Sequence, residues 1–110
     1  MAEITFERQA RTPYSESYSI EEDGDAVGRV DIHFTPSSAV FATLCVPQDY
    51  DEDNIQDLIA EIDERLVLST DPYRDDFVVT VWRGQYAGEY SEDEDLFDEE
   101  EESNGRAPHA

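Results

Sequence analysis

Residues 40–68 decide the fold, and they read VFATLCVPQDYDEDNIQDLIAEIDERLVL. The first seven residues are nearly all apolar, which is typical of a central strand covered on both faces of its sheet. Pro47 ends that strand, because proline cannot donate to a strand ladder. From residue 51 onward the apolar positions follow a helical period. The stretch therefore predicts a buried strand followed by one amphipathic helix.

The helix is predicted over residues 51–68. Its apolar residues fall at i, i+3, i+4, i+7 and i+11, which makes a single stripe for packing on a sheet. The stripe consists of Ile55, Leu58, Ile59, Ile62 and Leu66. Three acidic residues, 51–53, suit the positive end of the helix dipole. Asp57 and Glu61 lie off the stripe, so we expect the outer helix face to be acidic and free for a partner.

Period-two alternation predicts strands on either side of this stretch. Residues 4–10, 14–20, 29–34 and 77–83 alternate or are rich in β-branched and aromatic side chains. The Asp23-Gly24 pair indicates a hairpin turn. The sequence thus predicts an α+β fold in the order β-β-β-β-α-β. It would be an antiparallel sheet of about five strands with the amphipathic helix packed on one face.

The C-terminal residues have a different composition. Residues 91–110 carry nine acidic residues and one arginine, a net charge of −8, and few apolar side chains. We expect them to form a disordered acidic tail, because such a segment cannot bury enough apolar surface to fold. Residues 1–90 would be one small domain, and they remain acidic by themselves with a net charge of −14.

The charge of the whole chain is extreme, at −22, and its seven basic residues are all arginine. A polyanion repels phosphate backbones and anionic membranes, so we expect no direct nucleic-acid binding and no membrane docking. The favoured partner is a basic protein or an Arg-rich segment.

No apolar stretch approaches the roughly 20 residues of a membrane span. The N-terminus lacks the features of a signal peptide, which predicts a cytoplasmic protein. Nothing in the sequence sets an oligomeric state.

The sequence offers no catalytic or metal-binding constellation. His33 and Cys45 lie on different predicted strands with no third residue to complete a site. We expect Cys45, inside the apolar run, to be a buried and inert thiol. The alternation of Asp49, Asp51 and Asp53 resembles the opening of the EF-hand calcium loop. Positions that should hold glycine and glutamate are Asn54 and Ala60, however, so we predict no metal site, no cofactor and no enzyme activity.

Aromatic side chains indicate where a partner would bind. Tyrosine is enriched at interface hot spots, and arginine from a partner can stack on it. Tyr86 and Tyr90 lie in a glycine-containing segment beside the acidic tail. Leu96 and Phe97 interrupt the tail as two apolar anchors between charges, as in a short linear motif. The predicted partner-binding residues are Tyr86, Tyr90, Asp57, Glu61, Leu96 and Phe97.

The leading hypothesis from the sequence is a non-catalytic binding or adaptor protein, in which carboxylates steer the encounter and aromatics supply short-range energy. One alternative is a DNA mimic, whose carboxylates would occupy a nucleic-acid-binding protein. Another alternative is an ordinary small domain from a salt-adapted organism, acidic for solvation alone. These three hypotheses remain open at this stage.

Overall fold

A computed structural model describes residues 3–92 of the chain. Its elements follow the predicted order, which confirms the α+β class. They are β1 (Ile4–Thr12), β2 (Ser15–Glu22), β3 (Asp25–Phe34), β4 (Ala39–Val46), α1 (Glu52–Ile62), a π-helical turn (Asp63–Val67) that continues α1, and β5 (Asp76–Arg83). The predicted tail beyond residue 92 lies outside the described residues, so the boundary after residue 90 stays a prediction.

All five strands form one sheet in the order β1-β2-β3-β4-β5. The first four pair antiparallel with their neighbours, but β5 runs parallel to β4, from Ala39 opposite Asp76 to Val46 opposite Arg83. The prediction of an antiparallel sheet is therefore wrong for this last strand. The helix between the two strands returns the chain to the starting end of β4, so the strand added beside β4 runs in the same direction.

The core lies between the sheet and the helix. Alternate residues of β2, β3 and β4 point toward α1, and the predicted helix stripe packs against them. The buried apolar residues are Ile20, Val30, Ile32, Val40, Ala42, Leu44, Val46, Ile55, Leu58, Ile62 and Val67. Two further stripe residues, Ile59 and Leu66, are partly buried against this cluster. The amphipathic helix packed on one face is thus confirmed.

The helix begins with a capped turn and ends with a wider one. Asp51 caps the N-terminus, since its carboxylate accepts from the backbone N–H of Asn54 at 2.8 Å. At the other end the N–H of Leu68 donates to the carbonyl oxygen of Asp63 at 2.8 Å, a π-type bond. The wider turn buries Val67 completely and leaves Leu66 only partly buried.

Among residues 3–92, no helix combines the length and apolarity needed to cross a membrane.

The opposite face of the sheet, called here the outer face, has no helix over it in residues 3–92. Phe41 is 46% exposed there, and Cys45 is only half-buried. The expectation that this strand is covered on both faces, with its thiol buried, is therefore wrong. A single helix can cover one face of a sheet, and α1 lies on the other one. His33 shares the outer face and is exposed, as the alternation of β3 predicts.

A bidentate ion pair joins the π-helical turn to the segment before β5. Arg74 donates through Nε to Asp63 Oδ1 at 2.9 Å and through Nη2 to Oδ2 at 2.6 Å. The same guanidinium lies over the ring of Phe77 at 5.6 Å. The hydrogen bonds to Asp63 are the main reason that the pKa of Arg74 is raised. This contact sets where the chain enters the parallel strand.

Candidate binding surface

One end of the sheet carries two acidic connections side by side. The β2–β3 turn and the β4–α1 connection both lie there. Strands β2 and β4 run in the same direction, because both are antiparallel to β3, so their C-terminal ends lie at the same end of the sheet. We call residues 21–25 and 49–53 the acidic end. Its carboxylates are Glu21, Glu22, Asp23, Asp25, Asp49, Asp51, Glu52 and Asp53. The two connections are joined by a hydrogen bond of 2.9 Å from the Tyr50 hydroxyl to Glu22.

A shallow cleft opens between the acidic end, the first turns of α1 and the start of β1. Its volume is about 140 Å³, and we call it the acidic cleft. The helix contributes positions spaced by three or four residues, which share one face of a helix. The lining residues are Ile4, Glu22, Tyr50, Asn54, Asp57, Leu58 and Glu61. Apolar side chains from β1 and α1 thus lie beside three carboxylates and a phenol.

The pKa of the Tyr50 phenol reflects the negative charge around the cleft. Burial raises the pKa of this phenol, and the hydrogen bond to Glu22 and the charges of Glu22, Asp51 and Asp57 raise it further, to about 12. A negative phenolate is disfavoured wherever carboxylates crowd together. The same arrangement stabilises a positive group.

The two helix residues predicted to bind a partner, Asp57 and Glu61, line this cleft together. Asp57 is exposed. Glu61 is only one-third exposed and lies where α1 approaches the start of β1. Arg65 Nη1 donates to Glu61 at 3.2 Å and to the carbonyl oxygen of Ile4 at 2.9 Å. Its guanidinium also lies 4.7 Å from the ring centroid of Phe6. Glu61 therefore already has an internal cation, whereas Asp57 faces the open side.

The predicted tyrosines lie after β5. Tyr86 is 76% exposed and Tyr90 is 83% exposed. Neither lines the acidic cleft. The remaining two candidates, Leu96 and Phe97, lie outside the described residues. The structure therefore brings together two of the six predicted residues, and it places two others on exposed chain that does not line the cleft.

A polar network crosses the middle of the outer face. Ser17 Oγ donates to Asp31 Oδ1 at 2.7 Å, and Arg29 Nη2 donates to the same oxygen at 2.9 Å. Burial raises the pKa of Asp31, but these hydrogen bonds and the charges of Arg29 and His33 outweigh it, so the pKa is lowered overall. The hydrogen bond to Asp31 is also the main cause of the raised pKa of Arg29.

Sequence reasoning did not single out Glu16, which is only 7% exposed on the helix side of β2. The Tyr18 hydroxyl donates to its carboxylate, and Arg11 Nε lies 3.5 Å from it. Burial, followed by this hydrogen bond, raises the pKa of Tyr18. A buried carboxylate requires such partners. The alternation of residues 14–20 puts Glu16 on the same face as Ile20, and this shared face is the sequence signal for its burial.

No family model and no curated protein matches this sequence. Among solved structures, the chain is similar to a ribosomal-protein-alanine N-acetyltransferase from Brucella melitensis biovar Abortus 2308. The two are 17% identical over 74% of this chain and 72% of that chain, with a TM-score of 0.38. A likeness at this TM-score supports no conclusion about the chemistry of this chain.

Proposed function

We propose that this chain is a non-catalytic binding protein that engages a basic protein surface through the acidic cleft. The observation that carries the proposal is the composition of the cleft, where carboxylates surround an apolar floor. Lysine and arginine side chains combine a long apolar stem with a charged head. The stem of such a side chain would lie on Ile4, which is only partly buried, and its head would reach Asp57 and Glu22.

The distribution of cations within the domain supports this proposal. Five of its arginines lie within 4.0 Å of one of its own carboxylates, so their charge is already compensated. These pairs are Arg11–Glu16, Arg29–Asp31, Arg65–Glu61, Arg74–Asp63 and Arg83–Glu52. The acidic end contributes a single carboxylate to these pairs, at the longest distance, 4.0 Å. Its excess negative charge would therefore steer a cationic partner toward the cleft.

The test compares charge neutralisation inside and outside the cleft. The probe is an oligoarginine peptide, and its dissociation constant is measured by calorimetry at low and high sodium chloride. Asp57→Asn combined with Glu22→Gln should weaken binding by about tenfold or more, because hydrogen bonds to charged groups contribute about 1.5–3 kcal/mol each. Glu64→Gln is the control, since Glu64 is exposed but lies outside the cleft. It should change affinity by less than about twofold.

Two results would contradict the proposal. If Glu64→Gln weakened binding as much as one cleft substitution, the peptide would be responding to overall charge and the cleft would have no special role. If the peptide failed to bind at low salt, a cationic partner would be excluded. Either result would favour the hypothesis that the acidity serves solvation in a salt-rich cytoplasm.

A further inference from the structure

The two edge strands of the sheet differ in how their open edges are protected. Natural proteins protect edge strands with charges, bulges and proline, because an unpaired edge can pair with another chain. The edge strand β1 has these devices: a bulge between Arg8 and Ala10, charges at Glu7 and Arg11, and Pro13 directly after the strand. Its free edge is therefore a poor template for pairing.

The other edge strand, β5, has no bulge and no proline, and its only charges, Asp76 and Arg83, lie at its two ends. It pairs with β4 along its full length without a register shift, and no strand of residues 3–92 lies on its other side. Its interior, residues 77–82, reads FVVTVW and contains no charge, glycine or proline. A regular, uncharged edge of this kind favours pairing with a further strand.

Apolar side chains are exposed beside this open edge. On the outer face of β5, Val78 is 40% exposed and Trp82 is 63% exposed. Phe41 lies opposite Val78 on the neighbouring strand and is 46% exposed. Tryptophan is strongly enriched at the energetic centres of interfaces. The open backbone edge and the apolar patch are thus contiguous.

We propose that β5 pairs antiparallel with β5 of a second copy, so that two sheets join into one of ten strands. The residue pattern of β5 favours a second copy as the occupant. Its two exposed apolar residues, Val78 and Trp82, are four residues apart on the outer face, so an antiparallel pair of two such strands can set each opposite the other. A two-fold axis repeats each contact, which is typical of closed dimers.

The side-chain faces restrict the register of such a pair. Residues directly opposite each other in an antiparallel pair lie on the same face of the sheet. A pair centred on Thr80 meets this condition, since it sets Val78 opposite Trp82 of the second copy on the outer face. On the helix side it sets Val79 opposite Val81. This register buries the exposed apolar side chains of both copies against each other.

Salt should strengthen this association. Each copy has a net charge of −22, so two copies repel at long range. The Debye length falls from about 30 Å at 0.01 M salt to about 3 Å at 1 M, which screens that repulsion. Binding of a cationic partner to the acidic cleft should weaken over the same range. The cleft lies on the β1 side of the domain, so the two associations use different surfaces.

The experiment is sedimentation velocity on the full chain at about 0.01 M and about 1 M sodium chloride. The wild-type protein should be a dimer at high salt and dissociate at low salt. Thr80→Lys places two lysines face to face on the two-fold axis, and it should raise the dimer dissociation constant at least about tenfold. Thr5→Lys makes the same change on the outer face of the opposite edge strand, and it should leave the dimer intact.

The single tryptophan supplies an independent readout, since Trp82 would be covered in the dimer. Its emission should shift to shorter wavelength as the dimer forms, and Thr80→Lys should abolish the shift while circular dichroism stays unchanged. A monomer under all salt conditions, or a dimer with unchanged tryptophan emission, would overturn the proposal. Equal dimerisation of the two lysine variants would overturn it as well. None of these results depends on peptide binding at the acidic cleft.

Discussion

Gly28 on β3 is the position where one added carbon atom should disturb the sheet most. A Cβ built there lies 2.0 Å from the carbonyl oxygen of Cys45 and 3.2 Å from its carbonyl carbon. Both atoms belong to the backbone of β4, so neither can rotate away. Gly28→Ala therefore requires β3 and β4 to separate next to the pair formed by Arg29 and Cys45.

The expected loss follows from competing effects. At an open strand position, alanine is more favourable than glycine by roughly 0.5–1 kcal/mol. Overpacking typically costs about 1–3 kcal/mol, and each ladder hydrogen bond lengthened by the separation contributes about 1 kcal/mol. The steric effect wins, and Gly28→Ala should lower the free energy of unfolding by about 2–4 kcal/mol.

Gly84→Ala is the matched control, because nothing lies within 4 Å of a Cβ built there. The N–H of Gly84 donates to Val46 at 2.9 Å, and alanine retains this donor. We expect its effect to lie between neutral and a gain of about 1 kcal/mol.

Urea unfolding followed by circular dichroism measures both variants at one salt concentration, and equal m-values are required for the comparison. A Gly28→Ala variant within about 0.5 kcal/mol of wild type, or a Gly84→Ala variant destabilised equally, would contradict a steric clash with the β4 backbone.

Four further outcomes are expected. The melting temperature should rise between about 0.01 M and 1 M sodium chloride, and a flat profile would exclude charge repulsion as a determinant of stability. In an ultraviolet titration, Tyr50 should ionise with a pKa of about 12, and Glu22→Gln should lower that pKa. Because the phenol is harder to ionise in the folded state, the contribution of Tyr50 to stability should be constant below pH 10, the ordinary pKa, and be lost as the pH rises toward 12. Ile62→Ala should cost about 2–5 kcal/mol in urea unfolding, as expected for a fully buried side chain, whereas Asp57→Ala should cost less than about 0.5 kcal/mol. The pKa of Asp31 is lowered by folding, so acid should protonate this group and remove its contribution to stability, and Asp31→Asn should show a weaker pH dependence over that acidic range.

The order of elements and the helix stripe could be predicted because they depend on local periodicity. Ile55, Leu58 and Ile62 are buried where a period of 3.6 residues places them. Val67 could not be predicted in this way, since the π-helical turn inserts an extra residue and shifts the buried position from 66 to 67. Local patterns also could not predict that β5 runs parallel to β4, because the direction of β5 depends on where the helix returns the chain.

The candidate cleft could be predicted only in part. Asp57 and Glu61 are four residues apart on one helix, so their proximity follows from helical geometry. Three other residues complete the cleft through tertiary contacts: Ile4, Glu22 and Tyr50. The pairing of β1 with β2 sets Ile4 opposite Glu22, and the β4–α1 connection brings Tyr50 to Glu22. Local sequence patterns do not predict these long-range contacts. The same holds for Gly28, whose requirement for a small residue comes from the backbone of the adjacent strand.

The parallel pairing of β5 with β4 has a consequence for how the chain folds. The strands β1 to β4 connect through tight turns, so their contacts are local and form early. Residues 47–75 must then be positioned before β5 can pair, and closing such a long connection delays this step. During synthesis the four-stranded meander therefore emerges first, with the apolar edge of β4 unpaired. Arrival of the fifth strand closes that edge, and the speed of helix docking limits how long a nascent chain is exposed to misassembly.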